Sequence, residues 1–430
     1  MFRSSLSRRS RLALLGSAVL LTLIIIVGLV SLMRFAVALL SASPQLDFGV
    51  YYLAGAILES SNPDELFSID RLEEEAAARR MTGYGTIFHG MHYDYPPLLA
   101  VLMRWVSRLP YPVAETGWLW FNILAILMSV PPLVAWDRHR RPGVGTYLVI
   151  LLILTLYTPG HSALVLGQVS PLMLCALSWA FGLLADKTLA KHRAAQVAAG
   201  WLIGLASIIK LFPLLLFPFL LWKRQFRVVG RIILSLVAYI VVGILGGGMS
   251  NTVQFFTSFL PSFYGQRVYH SLDYNQSFSA TLARWLGLNP LVLSLSLTFS
   301  GVVLLVTCVA LVRSCRAAPD NERFGLEYGL VLTSSILILT YVTLNYYLLL
   351  LVLLAALWFS SGSLLLRAWS VLGCIALICV HSLVMWAFWD VGHLVPFGLI
   401  AALLLWGVLV ARVSRIPKPD APRVLRHQWR

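Results

Sequence analysis

Long apolar runs separated by short basic segments dominate the chain, and a run of ~18 or more apolar residues marks a helix that crosses a bilayer. The first extends from about Leu12 to Leu40, behind Arg3, Arg8, Arg9 and Arg11. It is much longer than the ~7–15-residue core of a secretion signal, so it predicts an uncleaved anchor. Further spans are predicted over about 113–136, 143–159, 162–184, 194–209, 211–222, 228–249, 291–312, 325–342, 344–360, 366–388 and 394–412. That makes about 12 crossings by length and apolarity. The short alternating segments of a membrane β-barrel are not visible. The predicted class is all-α, a polytopic transmembrane helical protein whose residues 1–430 form one integral membrane domain.

Loop charge orients the spans, because Lys and Arg collect on the cytoplasmic side. The arginine-rich N-terminus is therefore placed inside, and the first helix delivers Asp47 outside. Cytoplasmic loops then hold Lys187, Lys191 and Arg193; Lys223, Arg224, Arg227 and Arg231; Arg313, Arg316 and Arg323; and Arg367. The basic tail over 413–430 is cytoplasmic too. The expected location is the plasma membrane, multi-pass, with both termini cytoplasmic and the candidate active face extracytoplasmic.

Residues 41–111 form a large first extracytoplasmic loop, carrying Asp47, Glu59, Asp64, Glu65, Asp70, Glu73, Glu74, Glu75 and Asp94. Within it, Asp70 to Met81 predicts a short amphipathic helix capped by Asp70 or Ser68. Pro97 to Leu109 is too short to cross comfortably at about 13 residues. Crossing would also put the basic Trp136–Arg141 stretch outside, so this segment is laid at the outer interface. A second extracytoplasmic loop is predicted over 250–290. The 194–222 region is read as two pieces broken at Lys210-Leu211-Phe212-Pro213, since proline disfavours a continuous helix. The break puts Lys210 at the outer face, where short broken segments are tolerated if they line a cavity.

Composition supports this layout. The chain is 59% hydrophobic and 12% charged, about half the ~25% charge of a soluble domain. The net charge of +15 reflects cytoplasmic loops facing anionic headgroups; no segment is long enough for a basic soluble domain, and no nucleic-acid partner is expected. The five cysteines lack C-x-x-C spacing, so neither a disulfide nor a metal cluster is predicted. The Gly243–Gly248 cluster lacks the Lys-Ser/Thr ending of a phosphate loop and reads as close helix packing.

Candidate chemistry gathers on the outer side. Asp47 is a carboxylate at a membrane lip, costly if dry and therefore a functional candidate; it reads as a general base or as a helix-end cap. The stretch His89-Gly90-Met91-His92-Tyr93-Asp94-Tyr95-Pro96-Pro97 fits hydrogen bonding to a polar substrate better than metal binding, because His89-x-x-His92 lacks the usual zinc spacing and a third ligand. Lys210 reads as a phosphate-binding point charge or as a snorkelling side chain. Arg267, Asn275, Gln276, Ser277 and Arg284 suit a phosphate and a sugar, or a solvated loop. His161 and Gln168 lie near the outer end of the 162–184 span. No nucleophile elbow, nucleotide loop or cysteine–histidine pair is present, so no cofactor is implied and no metal site is assigned.

Asp47-Phe48-x-x-Tyr51-Tyr52-x-Ala54-Gly55, Tyr95-Pro96-Pro97, Leu166-Gly167-Gln168, Gly204-x5-Lys210-x-x-Pro213 and Asn275-Gln276-Ser277 with Arg284 occur in this order. Together they resemble glycosyltransferase family 87, GT-C-type enzymes typified by polyprenol-phosphate-mannose-dependent alpha-1,2-mannosyltransferases, over roughly residues 12–412. The resemblance implies an inverting hexosyltransferase. Its donor would be a mannose-like sugar on a polyprenyl phosphate, its acceptor a glycolipid or glycan, and its surroundings membrane lipid. It implies Asp47 as the catalytic base. Tyr51, Tyr52, His89, His92, Asp94, Tyr95, His161, Gln168, Lys210, Arg267, Asn275, Gln276, Ser277, Arg284 and Asn345 are the substrate-binding candidates. Some members carry a histidine-bearing stretch near a late helix start. Here Thr343-Leu344-Asn345-Tyr346-Tyr347 stands in that region, so a histidine contact does not carry over and Asn345 or Tyr346 takes its place. The competing reading is a twelve-span secondary transporter or flippase of a lipid-linked or polar solute; paired broken helices in two matching halves are not found. A third is a non-catalytic subunit of an envelope assembly complex.

Overall fold

A computed structural model describes residues 8–40, 45–79, 81, 92–134, 155–186, 188–265, 275–314, 321–358, 370–379 and 396–415. The described residues form helices and no strand. In chain order the longer ones are α1 (Arg8–Leu40), α2 (Leu46–Ile57), α3 (Ile69–Ala78), α4 (Pro97–Val106), α5 (Tyr111–Val134), α6 (Thr158–Leu166), α7 (Ser170–Ala185), α8 (Arg193–Ile209), α9 (Leu216–Trp222), α10 (Phe226–Gly247), α11 (Phe278–Leu286), α12 (Pro290–Arg313), α13 (Asn321–Leu337), α14 (Leu350–Trp358) and α15 (Phe397–Arg415).

Four described helices are long and apolar enough to cross a membrane: Tyr111–Val134, Phe226–Gly247, Pro290–Arg313 and Phe397–Ser414. The first predicted span lies within the 33-residue α1. Of the other expected spans, 194–209 is the 17-residue α8 and 325–342 is α13 up to Leu337, whereas 143–159, 344–360 and 366–388 lie partly outside the described residues; His89, Arg267, Cys315, Lys187, Arg316 and Arg367 also lie outside them. The run over 162–184 is not one helix. It divides into α6 and α7 at Gly167, whose φ of 68° ends α6 in a left-handed cap. Likewise the 344–360 run opens as a tight 3-10 turn, Leu344–Leu349, before α14.

The predicted break after α8 is present. Lys210 is extended (φ −139°, ψ 125°), and the chain returns through the tight turn Phe212–Leu215 and the short α9. α8 and α10 then run parallel: Gly200 abuts Val228 and Arg231, while Gly204 abuts Ile232 and Ser235. Lys210 therefore lies at the opposite end of these helices from Arg193 and the basic Lys223–Arg231 stretch. At that basic end Lys223 Nζ lies 2.5 Å from Glu327 of α13, which also accepts from Ser314 Oγ. A buried ion pair adds little net stability when intact, but it fixes which helices meet; here α9, α12 and α13 are joined.

α2 is too short to span and is buried from Phe48 through Ile57, so it packs inside protein rather than against lipid on one face. Its Gly55 is required by α4, since a Cβ there would stand 2.6 Å from the Met103 carbonyl carbon. α4 in turn crosses the end of α10: a Cβ on Gly247 would stand 3.0 Å from Pro97 Cβ, and Arg104 donates to the Gly246 carbonyl at 3.1 Å. The glycine cluster is thus a packing device. In α3, Ser68 rather than Asp70 is the cap, accepting from the Arg71 N–H at 3.3 Å. Arg79, just past α3, reaches the Ser107 carbonyl at 2.7 Å and the Tyr52 hydroxyl at 3.1 Å. This latches the amphipathic segment onto α2 and α4.

Candidate active site

Asp47 occupies the first turn of α2, where the helix dipole favours an anion. The helix start is fixed from outside. The Gln45 N–H donates to Glu115 Oε1 at 2.6 Å, and the Gln45 carbonyl accepts from the Gly49 N–H at 2.8 Å. Phe48 stacks on Trp118, ring centroids 5.5 Å apart. The Trp118 indole N–H donates to the Gly167 carbonyl at 2.7 Å. One stack thus aligns α2, α5 and the α6–α7 break.

That break presents Gln168 to Asp47. The Gln168 side-chain amide donates to Asp47 Oδ2. Its oxygen accepts from the Tyr95 hydroxyl at 3.5 Å, and Tyr95 accepts from the Tyr51 hydroxyl at 2.9 Å. A relay Tyr51–Tyr95–Gln168–Asp47 therefore sets the direction of the carboxylate. Tyr52 faces the other way, donating to the Leu109 carbonyl at 2.8 Å. The adjacent tyrosines serve opposite sides of α2.

Lys210 completes the group. Its Nζ sits 3.8 Å from the centroid of the Tyr346 ring and 5.8 Å from that of Tyr95, a cation–π cradle. It lies within electrostatic reach of both Asp47 and Asp94. Burial pushes the Asp47 carboxyl up to about 6, against the pull of Gln168's hydrogen bond and the Lys210 charge. Burial, and secondarily the charge of Asp47, pushes Asp94 up to about 7. Two carboxylates facing one ammonium cannot both ionise freely, so they titrate as a pair. A base whose proton affinity is raised towards neutrality suits proton abstraction from a hydroxyl.

The other predicted residues divide. Asn275 and Ser277 are engaged by backbone. Asn275 Oδ1 accepts from the N–H groups of Ser277 and Val342, both at 3.0 Å, and Ser277 Oγ donates to the Thr340 carbonyl at 2.7 Å. Arg284 donates to the Asn275 carbonyl at 2.7 Å. These three clasp the start of α11 to the 340–342 stretch that leads to Tyr346. The Gln276 amide is fully buried, with neither atom partnered among the described residues, and Asn345 Nδ2 is in the same condition. His161 uses both ring nitrogens, on Ser31 Oγ and the Thr155 carbonyl, each at 2.7 Å. His92 is partly buried, and burial holds its imidazole below the usual range. Sequence reasoning missed Gln45, Glu115 and Trp118, the groups that set Asp47 in place.

Gly167 is the most exacting position. A Cβ there would stand 2.6 Å from Phe48 Cβ and 2.7 Å from Gln45 Oε1, on a backbone of positive φ. Gly167→Ala should cost about 2–4 kcal/mol in strain and overpacking. It should lower the thermal midpoint of the purified protein and, by moving Gln168, reduce activity at least ~10-fold. An unchanged melting profile would remove the argument that this glycine sets the break.

A sequence profile of glycosyltransferase family 87 matches residues 93–340, more than half of the 430-residue chain. The match takes in Asp94, Tyr95, Gln168, Lys210, the Asn275–Ser277 clasp and Arg284, and begins after Asp47. Comparison with curated proteins and with solved structures returned no match. The chain belongs to glycosyltransferase family 87.

Proposed function

We propose that the protein is an inverting glycosyltransferase moving a hexose, mannose-like, from a polyprenyl phosphate to a glycolipid or glycan on the extracytoplasmic face. The observation that carries this reading is the placement of a raised-pKa carboxylate, Asp47, with the cation Lys210 at the end of α8 and α10 away from the basic loops. The positive-inside rule puts that end outside.

The acceptor hydroxyl gives its proton to Asp47 as its oxygen bonds to the anomeric carbon. The bond from that carbon to the phosphate oxygen breaks on the opposite side, and polyprenyl phosphate leaves with the electron pair. Attack from the opposite face inverts the centre. Lys210 opposes the negative charge gathering on the phosphate, an effect strongest in a water-poor site. The proton on Asp47 then passes to solvent. A lipid donor enters from the bilayer, which suits a site built from helix breaks rather than a nucleotide-binding domain.

Purified protein in nanodiscs, given radiolabelled polyprenyl-phosphate sugars and membrane lipid extract, should move label onto a new product and release polyprenyl phosphate stoichiometrically. Transfer only from a nucleotide sugar would overturn the donor assignment. Movement of an unaltered solute across proteoliposomes would favour the transporter, which membership of a glycosyltransferase family does not.

A further inference from the structure

Asp94 is built into the site in a way that proton abstraction by Asp47 leaves unused. It lies on a rigid stretch between two anchored tyrosines. The Tyr93 hydroxyl accepts from the Ala100 N–H at 2.8 Å and donates to the Pro96 carbonyl at 2.9 Å, stapling the stretch to the first turns of α4. Tyr95 is held in the relay with Tyr51 and Gln168. Pro96 and Pro97 fix the backbone that follows. Asp94 is thereby presented in one position, yet its Oδ1 is buried and has no hydrogen-bond partner among the described residues.

A buried carboxylate oxygen left without a donor is unfavourable and calls for an explanation. Among the described residues local packing does not supply one: the hydroxyl of Tyr93 is committed to α4, and those of Tyr51 and Tyr95 to the relay. Asp94 lies within electrostatic reach of Asp47 and Lys210, and the adjacent Tyr95 is linked through Gln168 to Asp47 and has Lys210 Nζ 5.8 Å from its ring, which sets Asp94 beside the group that holds the base. What that oxygen lacks is a donor, and a hydroxyl is the group that the base beside it also receives.

Resting on the glycosyl-transfer reading, we propose that Asp94 binds the acceptor. Its Oδ1 accepts a hydrogen bond from a hydroxyl adjacent to the one Asp47 deprotonates, so the acceptor is a sugar ring with neighbouring hydroxyls rather than a single-hydroxyl alcohol or side chain. Two carboxylates on adjacent hydroxyls fix the ring's orientation and choose which oxygen meets the base. A site built to pair a particular hydroxyl rejects analogues lacking it far more strongly than an apolar pocket would, because its own polar atom is then left bare.

The test uses full-length protein in nanodiscs, with hexyl α-mannopyranoside and hexyl β-glucopyranoside, their monodeoxy analogues and n-hexanol as probes, empty nanodiscs correcting for partition into lipid. At least one hexyl glycoside should bind the wild type at least ~10-fold more tightly than n-hexanol, and Asp94→Leu, which is similar in size but has no acceptor oxygen, should remove most of that margin. One monodeoxy analogue should bind the wild type as weakly as the parent binds the variant, with no further loss when the two changes are combined. In turnover the variant should raise the acceptor KM and leave the donor KM in place. Equal binding of glycoside and alcohol, or an unchanged glycoside affinity in the variant, overturns the proposal. So does a binding margin that disappears with a chelator and returns with Mg2+ or Mn2+, which would mark the two carboxylates as cation ligands. If the wild type turns over no polyprenyl-phosphate sugar, the glycosyl-transfer reading fails, while the binding comparison still decides the role of Asp94.

Discussion

Asp47→Asn should reduce sugar transfer by about 10²–10⁴-fold, the usual contribution of a positioned general base, while the protein inserts and folds normally. The substitution is nearly isosteric. The Asn oxygen can still accept from the Gln168 amide, so the relay through Tyr95 and Tyr51 survives. What disappears is the ability to take a proton. The same carboxyl should make the activity of the wild type pH-dependent. A base works when ionised, so activity should fall as pH drops through the region near 6 set for Asp47, about tenfold per unit on the acidic limb. Asp94, held near 7, broadens that limb because the two titrate together.

Stability runs in the opposite direction. A carboxyl raised above its unfolded value contributes stability that is complete below about pH 4 and is lost as pH rises through 6 to 7. At pH 8 the Asn variant, which has no such charge to bury, should melt no lower than the wild type. Loss of transfer with retained or improved thermal stability is the expected signature. Wild-type transfer rates in this variant would remove Asp47 from the chemistry.

How much of this was legible in the sequence depends on the range of the interaction involved. Asp47 was legible because a carboxylate beside a membrane span is anomalous by itself. Lys210 was legible through Pro213, which dictates a local break whatever surrounds it. The break at Gly167 was not, since a hydropathy run from 162 to 184 does not register one left-handed φ; the close approach of Phe48 and Gln45 makes glycine obligatory, and both are distant in sequence. The supports of Asp47 were hidden for the same reason, with Glu115 reaching Gln45 across 70 positions and Trp118 reaching Gly167 across 49. Asn275, Ser277 and Arg284 show the converse. Amides, hydroxyls and guanidinium groups satisfy backbone as readily as ligands, and here their contacts with residues 340–342 and with Asn275 build the clasp. Among the described residues, Gln276, with both amide atoms buried and unpartnered, and Asn345, whose Nδ2 is, keep unused hydrogen-bonding capacity in that region.

Lys210→Met should lower transfer by about 10²–10³-fold, the cost of removing one preorganised group that stabilises charge on a departing oxyanion. Methionine follows the lysine stem one atom short of Nζ and removes the charge that sits over Tyr346, so α8 should end and the chain should turn as before. Two consequences separate. If Lys210 meets the phosphate, kcat falls, donor affinity weakens, and Lys210→Arg recovers part of both, because a guanidinium also stacks on the Tyr346 face. Lys210 additionally holds down the proton affinities of Asp47 and Asp94, so its loss should move the acidic limb of the pH profile upward. Measurement of kcat and donor KM across pH distinguishes these effects. A shifted limb with an unchanged plateau and unchanged donor KM would mean that Lys210 acts only by tuning the carboxylates. The phosphate charge would then have to be met by another cation, and the mechanism would keep its base but lose its assigned counter-charge.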